Sequence, residues 1–171
     1  MNINMEHKNI VATIYLKDGK AIKARDNYEE YPDVIELAKL YNDSGIDKIM
    51  IFDLSTTDEE HERNIQVILN INRNIEIKVC AGGNINRMED IKKLLYAGCK
   101  KAVLDYEKES NIEITEEVSL KFGKEKILIS YNDPAVLELH KEKIEKYVSA
   151  MILMNPHQIR KTQSILSLPF F

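Results

Sequence analysis

At 171 residues with a net charge of −4, 44% hydrophobic and 30% charged residues, the chain has the composition of one ordinary soluble globular domain, 1–171. The mild charge argues against broad nucleic-acid or membrane-surface binding, and no apolar run approaches the roughly 20 residues that span a bilayer. Residues 1–8 lack the apolar core of a signal peptide, so the two cysteines, Cys80 and Cys99, are expected as buried thiols in a cytoplasmic protein.

The pattern begins with a buried strand over 10–16, a Lys17-Asp18-Gly19 turn and a second short strand. Further strands are expected at 48–53, 75–81, 101–105, 126–131 and 147–154. They are continuous apolar runs rather than alternating ones, as in a parallel sheet covered on both faces. Helices are expected at 32–44, 58–72, 87–97, 115–122 and 134–143, and a last one at 157–167. In the first of them Val34, Leu37, Ala38 and Tyr41 recur at helical spacing and make one buried stripe. Gly45 and Gly98 end two helices in similar contexts, where a left-handed residue turns the chain towards the next strand. The result is an α/β, TIM-barrel-like (β/α) repeat of about six βα units. A closed barrel of this type has eight, so an incomplete or open barrel is expected, with a doubly wound open sheet as the alternative. Open strand edges favour self-association as a homo-oligomer, or completion by a protein partner.

Residues 11–19 (VATIYLKDG), 33–53 (DVIELAKLYNDSGIDKIMIFD) and 82–90 (GGNINRMED), continued through Leu94-Leu95-Tyr96-Ala97-Gly98, resemble in order and spacing the HisA/HisF group of histidine-biosynthesis (β/α)8 barrels. These are the phosphoribosylformimino isomerase and the cyclase subunit of imidazole glycerol phosphate synthase. The likeness runs from about residue 9 to 133 and fades afterwards. It implies two catalytic aspartates, ending the first and fifth strands, because one group must give a proton while another takes one. By spacing from Lys17-Asp18-Gly19 the first position holds Tyr15; by the run from Phe122-Gly123 the second holds Asn132, with Asp133 one place later. Asparagine takes up no proton at neutral pH, and a tyrosine with a pKa near 10 needs strong tuning to act as a base.

The resemblance also implies a phosphate cradle after the third and fourth strands. Gly82 and Gly83 keep it, but the third glycine is Asn84, a basic position is Asn86, and Asp105-Tyr106 brings a carboxylate to where an anion is expected. The second phosphate site of the family belongs to strands seven and eight, which this length does not hold. Asp53 stands where relatives carry an acidic residue at the barrel mouth, and Lys23 matches a lysine that contacts substrate in cyclases. Each has a plainer reading: Asp53 as a cap for the loop with Ser55 and Thr56, Lys23 as a solvated charge.

His7, His61, His140 and His157 fall in different segments without metal-like pairing, so neither metal nor cofactor is expected. His61 lies among Asp58, Glu59, Glu60 and Glu62 at what reads as a solvated helix start. Residues 130–134 read as a strand end and helix cap, and 141–146 as i,i+4 pairing on an exposed face. Tyr15, Tyr106 and Tyr131 would share one rim, as an aromatic ligand pocket or as filling for a vanished substrate site. The expectation is thus a degenerate, non-catalytic relative that binds a phosphorylated small molecule or a protein partner, with no nucleic-acid or membrane role. Its rivals are a histidine-biosynthesis-type isomerase or lyase acting through Asp53, Asp133 and Lys23 on a phosphoribosyl aminoimidazole carboxamide intermediate, and a structural subunit that completes a barrel with another chain.

Overall fold

The structure is a computed structural model describing residues 9–158 and positions 161, 162, 165 and 168. In chain order it comprises β1 (Val11–Lys17), β2 (Lys20–Ala24), β3 (Asn27–Glu30), α1 (Val34–Asp43), β4 (Lys48–Asp53), α2 (Asp58–Asn74) and β5 (Lys78–Gly82). There follow α3 (Met88–Tyr96), β6 (Lys101–Asp105), α4 (Glu109–Phe122), β7 (Ile127–Tyr131), α5 (Ala135–Leu139), α6 (Lys141–Tyr147) and β8 (Ala150–Leu153). One eight-stranded sheet runs in the order β3-β2-β1-β4-β5-β6-β7-β8. The six strands β1, β4, β5, β6, β7 and β8 pair in parallel, and the β2–β3 hairpin runs antiparallel beside the C-terminal half of β1.

The parallel strands follow one another in sequence order, with no point where the order reverses. A doubly wound sheet needs such a reversal, so that alternative is excluded. Residues of β1 and β8 also line one cavity of about 230 Å³ across the concave face, so the sheet curls. The architecture is an open, TIM-barrel-like one.

Strand parity sorts the side chains, because successive residues point to opposite faces. Met50, Phe52, Cys80, Val103, Leu128 and Ala150 make the small concave core. Their neighbours Ile49, Ile51, Val79, Ala81, Ala102, Leu104, Ile127 and Ile129 pack on the helices in the larger core. Burial on both faces explains the unbroken apolar runs in the sequence. Burial also pushes the Cys80 thiol up to about 11 and the Cys99 thiol up to about 12, and both are free.

Several boundaries differ from the sequence-based ones for local reasons. The expected strand at 75–81 begins at Lys78, because the Glu76 and Ile77 N–H groups donate to Asn42 Oδ1 at the end of α1. The expected helix at 134–143 breaks at His140 (φ −119°, ψ 20°) into α5 and α6. The expected helix at 115–122 starts earlier, at Glu109. The exposed strand β3 was not anticipated, since its residues NYEE carry no apolar alternation. The expected helix at 157–167 gives a 3-10 turn at Pro156–Gln158 and helical positions at 161, 162 and 165; its other residues, like His7, lie outside the described ones. Gly45 and Gly98 have φ of +78° and +99°, as their place after a helix required.

Candidate functional site at the C-terminal mouth

The C-terminal strand ends surround a mouth with two adjoining lobes of about 200 and 220 Å³, which share Arg25, Asp105 and Ser130. Parity brings Tyr15, Phe52, Asp105 and Ser130 to this side. The first lobe adds Asp53, Leu54, Gly83, Asn84 and Lys108, the second Asn132 and Met154. Tyr15 stacks on Phe52 with ring centroids 5.9 Å apart. The Arg25 guanidinium, carried by the β2–β3 turn, lies 4.9 Å from the Phe52 ring and 5.7 Å from that of Tyr15. Arg25 and Lys108 are mouth residues that sequence reasoning missed. Arg25 sits in a hairpin with no apolar pattern, and Lys108 reads as one more surface charge before a helix.

The loop after β5 is shaped by close packing. A Cβ on Gly83 (φ +85°) would lie 2.2 Å from the Asp53 carbonyl oxygen, and one on Gly82 would lie 2.7 Å from Val103 Cβ. Asn84 is also left-handed, at φ +47°. Its Nδ2 donates to Ser55 Oγ (2.8 Å), and Asn86 Nδ2 donates to Asn84 Oδ1 (3.3 Å). Asp105 accepts from the Glu107 N–H (3.0 Å), and Glu107 in turn accepts from the Asn132 N–H (3.0 Å).

Of the expected site residues, Tyr15, Gly83, Asn84, Asp105 and Asn132 thus come together at the mouth, with Gly82 at the base of the loop. Lys23, Asp133, Tyr106 and Tyr131 do not. Lys23 is exposed, its Nζ 4.0 Å from the Tyr31 ring centroid. Asp133, just before α5, accepts from the Ala135 N–H (2.9 Å). Tyr106 is buried in the helix layer, its hydroxyl 2.7 Å from Thr115 Oγ1 and its pKa pushed up to about 12 by burial. Tyr131 likewise points outward, donating to Thr162 Oγ1 (3.1 Å). The expectation of three tyrosines on one rim holds for Tyr15 alone.

Asp53 lines the first lobe beside the inward Phe52, but parity turns its carboxylate into the helix layer. It caps the loop through the Ser55 N–H (2.9 Å), the plainer of its two readings. It also meets a partner that the sequence reading set aside: His61 Nδ1 lies 2.5 Å from Asp53 Oδ2. His61 is only 5% exposed, which corrects the solvated helix start expected for it. The buried stripe of α2 is His61, Asn64, Ile65, Ile68 and Ile71. That helical spacing was the available signal; the acidic residues around His61 obscured it. Asn64 Nδ2 donates to the other Asp53 oxygen (2.6 Å), and its Oδ1 accepts from the Gly19 N–H (2.7 Å). Among the described residues no group of three or more His, Cys, Asp or Glu side chains is placed to hold a metal ion, and no helix is long and apolar enough to cross a membrane.

Comparison with known proteins agrees with the architecture. A family model described as "Histidine biosynthesis protein" matches residues 9–163. Similar curated proteins bear the name imidazole glycerol phosphate synthase subunit HisF. That of Azobacteroides pseudotrichonymphae genomovar. CFP2 is 29% identical over 125 residues, 72% of this chain and 50% of the relative. That of Microcystis aeruginosa (strain NIES-843 / IAM M-2473) is 29% identical over 143 residues, 82% of this chain and 56% of the relative. The Staphylococcus aureus (strain Newman) protein is 31% identical over 135 residues, 76% of this chain and 54% of the relative. The chain spans about half the length of the curated relatives it matches. With sequential parallel strands, an open curl and a family match over most of its length, the chain belongs to the histidine biosynthesis (HisA/HisF) family.

Proposed function

We propose that this chain is a non-catalytic member of the family that binds a phosphorylated sugar at the mouth. The observation that carries the reading is the lack of a facing carboxylate pair at the two strand ends where the family resemblance puts its acid and base. Tyr15 is packed under Arg25 and against Phe52, Asn132 is no acid or base at neutral pH, and Asp133 accepts from the Ala135 N–H at the start of α5. Among the described residues two rings, rather than a carboxylate, hold the Arg25 guanidinium, which leaves its N–H groups for an anion. Lys108 and the left-handed Gly83-Asn84 backbone border the same lobe. Asp105 shares it, so a bare anion suits the mouth less well than a ligand with hydroxyls. Those hydroxyls can donate to Asp105 and Ser130 while the phosphate meets Arg25 and Lys108.

The test is titration calorimetry with ribose 5-phosphate, ribose and inorganic phosphate, on the parent chain and on Arg25→Ala. Ribose 5-phosphate is expected to bind more tightly than either fragment, and Arg25→Ala to weaken it about tenfold or more, the loss of one good charged hydrogen bond. Equal binding by the parent and Arg25→Ala removes the mouth as the site. Turnover of the phosphoribosyl aminoimidazole carboxamide intermediate by the isolated chain would establish the enzymatic rival instead.

A second reading is favoured by the open seam. The outer edge of β8 pairs with no strand among the described residues, and Val11, Tyr15, Ile152 and Met154 line the apolar cavity beside it. A second copy or another chain seated there would complete the barrel, in line with the "subunit" in the relatives' names. Sedimentation equilibrium tests the first case: a monomer at all concentrations removes the homo-oligomer.

A further inference from the structure

On the helix side of the sheet, behind the mouth and sharing Asn84 with its first lobe, lies a polar cavity of about 270 Å³ lined by Asp58, His61, Asn84, Asn86, Arg87 and Asp90. His61, Asp53 and Asp90 are all buried, and each is bound on one side by the backbone or side chains around it. His61 Nδ1 faces Asp53 Oδ2 at 2.5 Å, while Asp53 Oδ1 already accepts from Asn64 Nδ2 and the Ser55 N–H. Asp53 is therefore satisfied as a carboxylate, and the Nδ1 proton is fixed. Asp90 Oδ2 accepts the Asn86 and Arg87 N–H groups at 2.9 and 3.0 Å, a carboxylate capping α3.

The remaining faces do not match. His61 Nε2 is buried with no hydrogen-bond partner and stands 3.9 Å from Asp90 Oδ1. In a neutral imidazole with its proton on Nδ1, Nε2 is an acceptor, so a buried lone pair would confront an anionic oxygen. A second proton turns that repulsion into a charge-assisted hydrogen bond after a movement of about an ångström.

The other charges near the ring leave this balance in place. Asp58, in the first turn of α2, adds negative charge to the cavity. Arg87, at the start of α3, has its guanidinium 3.8 Å from Asp90 Oδ1 but is largely exposed. Lys93 on α3 is paired with Glu62 on α2.

Asp53 and Asp90 are also joined by a second route, through the loops. Asp53 holds Ser55, Ser55 Oγ accepts from Asn84, Asn84 accepts from Asn86, and the Asn86 N–H returns to Asp90. A hydrogen bond from His61 Nε2 to Asp90 Oδ1 would close this circuit into a ring.

We propose that His61 is a proton-operated clamp, which as an imidazolium bridges Asp53 at the end of β4 to Asp90 on α3 and fixes the loops at 54–57 and 83–87. Loss of the proton opens the Asp90 side and leaves the Asp53 bond in place. The surroundings support this: the Asp53 hydrogen bond first, then the fields of Asp53 and Asp90, hold the imidazole above its ordinary 6.5 against desolvation.

The test is long-range ¹H–¹⁵N correlation of the histidine rings from pH 5 to 9, with backbone amide spectra recorded alongside. At pH 6.5, where an unperturbed ring is half neutral, both His61 nitrogens are expected at imidazolium shifts. The Asn86, Arg87 and Ser55 amides should then titrate with the ring's own midpoint. Asp90→Asn should lower that midpoint. A neutral His61 with a free Nε2 at pH 6.5 in the parent chain overturns the proposal, whether or not the variant folds. So do loop amides that stay still while the ring titrates.

Discussion

Asn64→Ala is the sharpest probe of how the helix layer is tied to the sheet. Asn64 is fully buried and joins three separate segments. Its Nδ2 donates to Asp53 Oδ1 at 2.6 Å and, weakly, to the Leu16 carbonyl at 3.4 Å; its Oδ1 accepts from the Gly19 N–H at 2.7 Å. The bond to the carboxylate contributes about 2 kcal/mol and the neutral one about 1 kcal/mol, so the substitution should cost about 3 kcal/mol. With a urea slope of about 2 kcal/mol per molar, the unfolding midpoint falls by roughly 1.5 M at unchanged slope. Circular dichroism through a urea titration measures it. Asn64→Leu separates the hydrogen bonds from the cavity: it restores volume without restoring partners, and should do no better than alanine. A loss below about 1 kcal/mol in Asn64→Ala, or recovery in Asn64→Leu, would refute the reasoning, because partners left unsatisfied in the interior carry the cost.

Gly83→Ala should destabilise more than Gly45→Ala. Both residues have positive φ, near +80°, but a Cβ on Gly45 meets nothing within 4 Å, while one on Gly83 would strike the Asp53 backbone. Gly45→Ala should therefore carry only the left-handed penalty of about 1–2 kcal/mol; equal losses in thermal unfolding would contradict the packing argument. Cys80 and Cys99, pushed up to about 11 and about 12 by burial, should resist a thiol reagent at pH 8 in the native state and react once unfolded. Rapid native labelling of either would show the core to be open. The raised His61 pKa makes a group whose stabilisation is complete below the unfolded value of 6.5 and is lost as pH rises through the folded value. Urea midpoints of the parent minus those of His61→Gln should accordingly shrink from pH 6 to pH 8.5, and a growing difference would reverse the sign and exclude the assignment.

Much of the fold was legible because the chain repeats one unit. Apolar runs bounded by glycines and helix caps gave the six parallel strands, and β4 and β6 span the residues expected of them. What was not legible lacks burial contrast: β3 is exposed along its whole length, and the break at His140 falls inside an otherwise helical pattern. The mouth was legible in part. The family resemblance marked Tyr15, Gly83, Asn84, Asp105 and Asn132, whereas Arg25 reaches the mouth from a hairpin whose position only the folded sheet sets. Asp53, Tyr106 and Tyr131 were assigned to the mouth side by their place at strand ends. Counting parity from Phe52 or Ser130 would have put Asp53 and Tyr131 on the opposite face.

Parity also sets which acidic groups face the mouth. A carboxylate does chemistry at the mouth only from an inward position. The inward positions here hold Tyr15, Phe52 and Ser130, and among the strand ends Asp105 alone keeps a carboxylate there, with its oxygen turned back to the Glu107 N–H. The acidic groups with the richest sets of partners, Asp53 and Asp90, are instead buried on the helix side, around a histidine and the loop amides. Buried charge of this kind is sustained only by full pairing, and it ties the loops behind the mouth to the scaffold. A Tyr15→Asp substitution would therefore not by itself create a facing proton-transfer pair. Asn132 would still lack a titratable group, and Arg25, now held by the two rings, would be left beside the new carboxylate and hold it ionised.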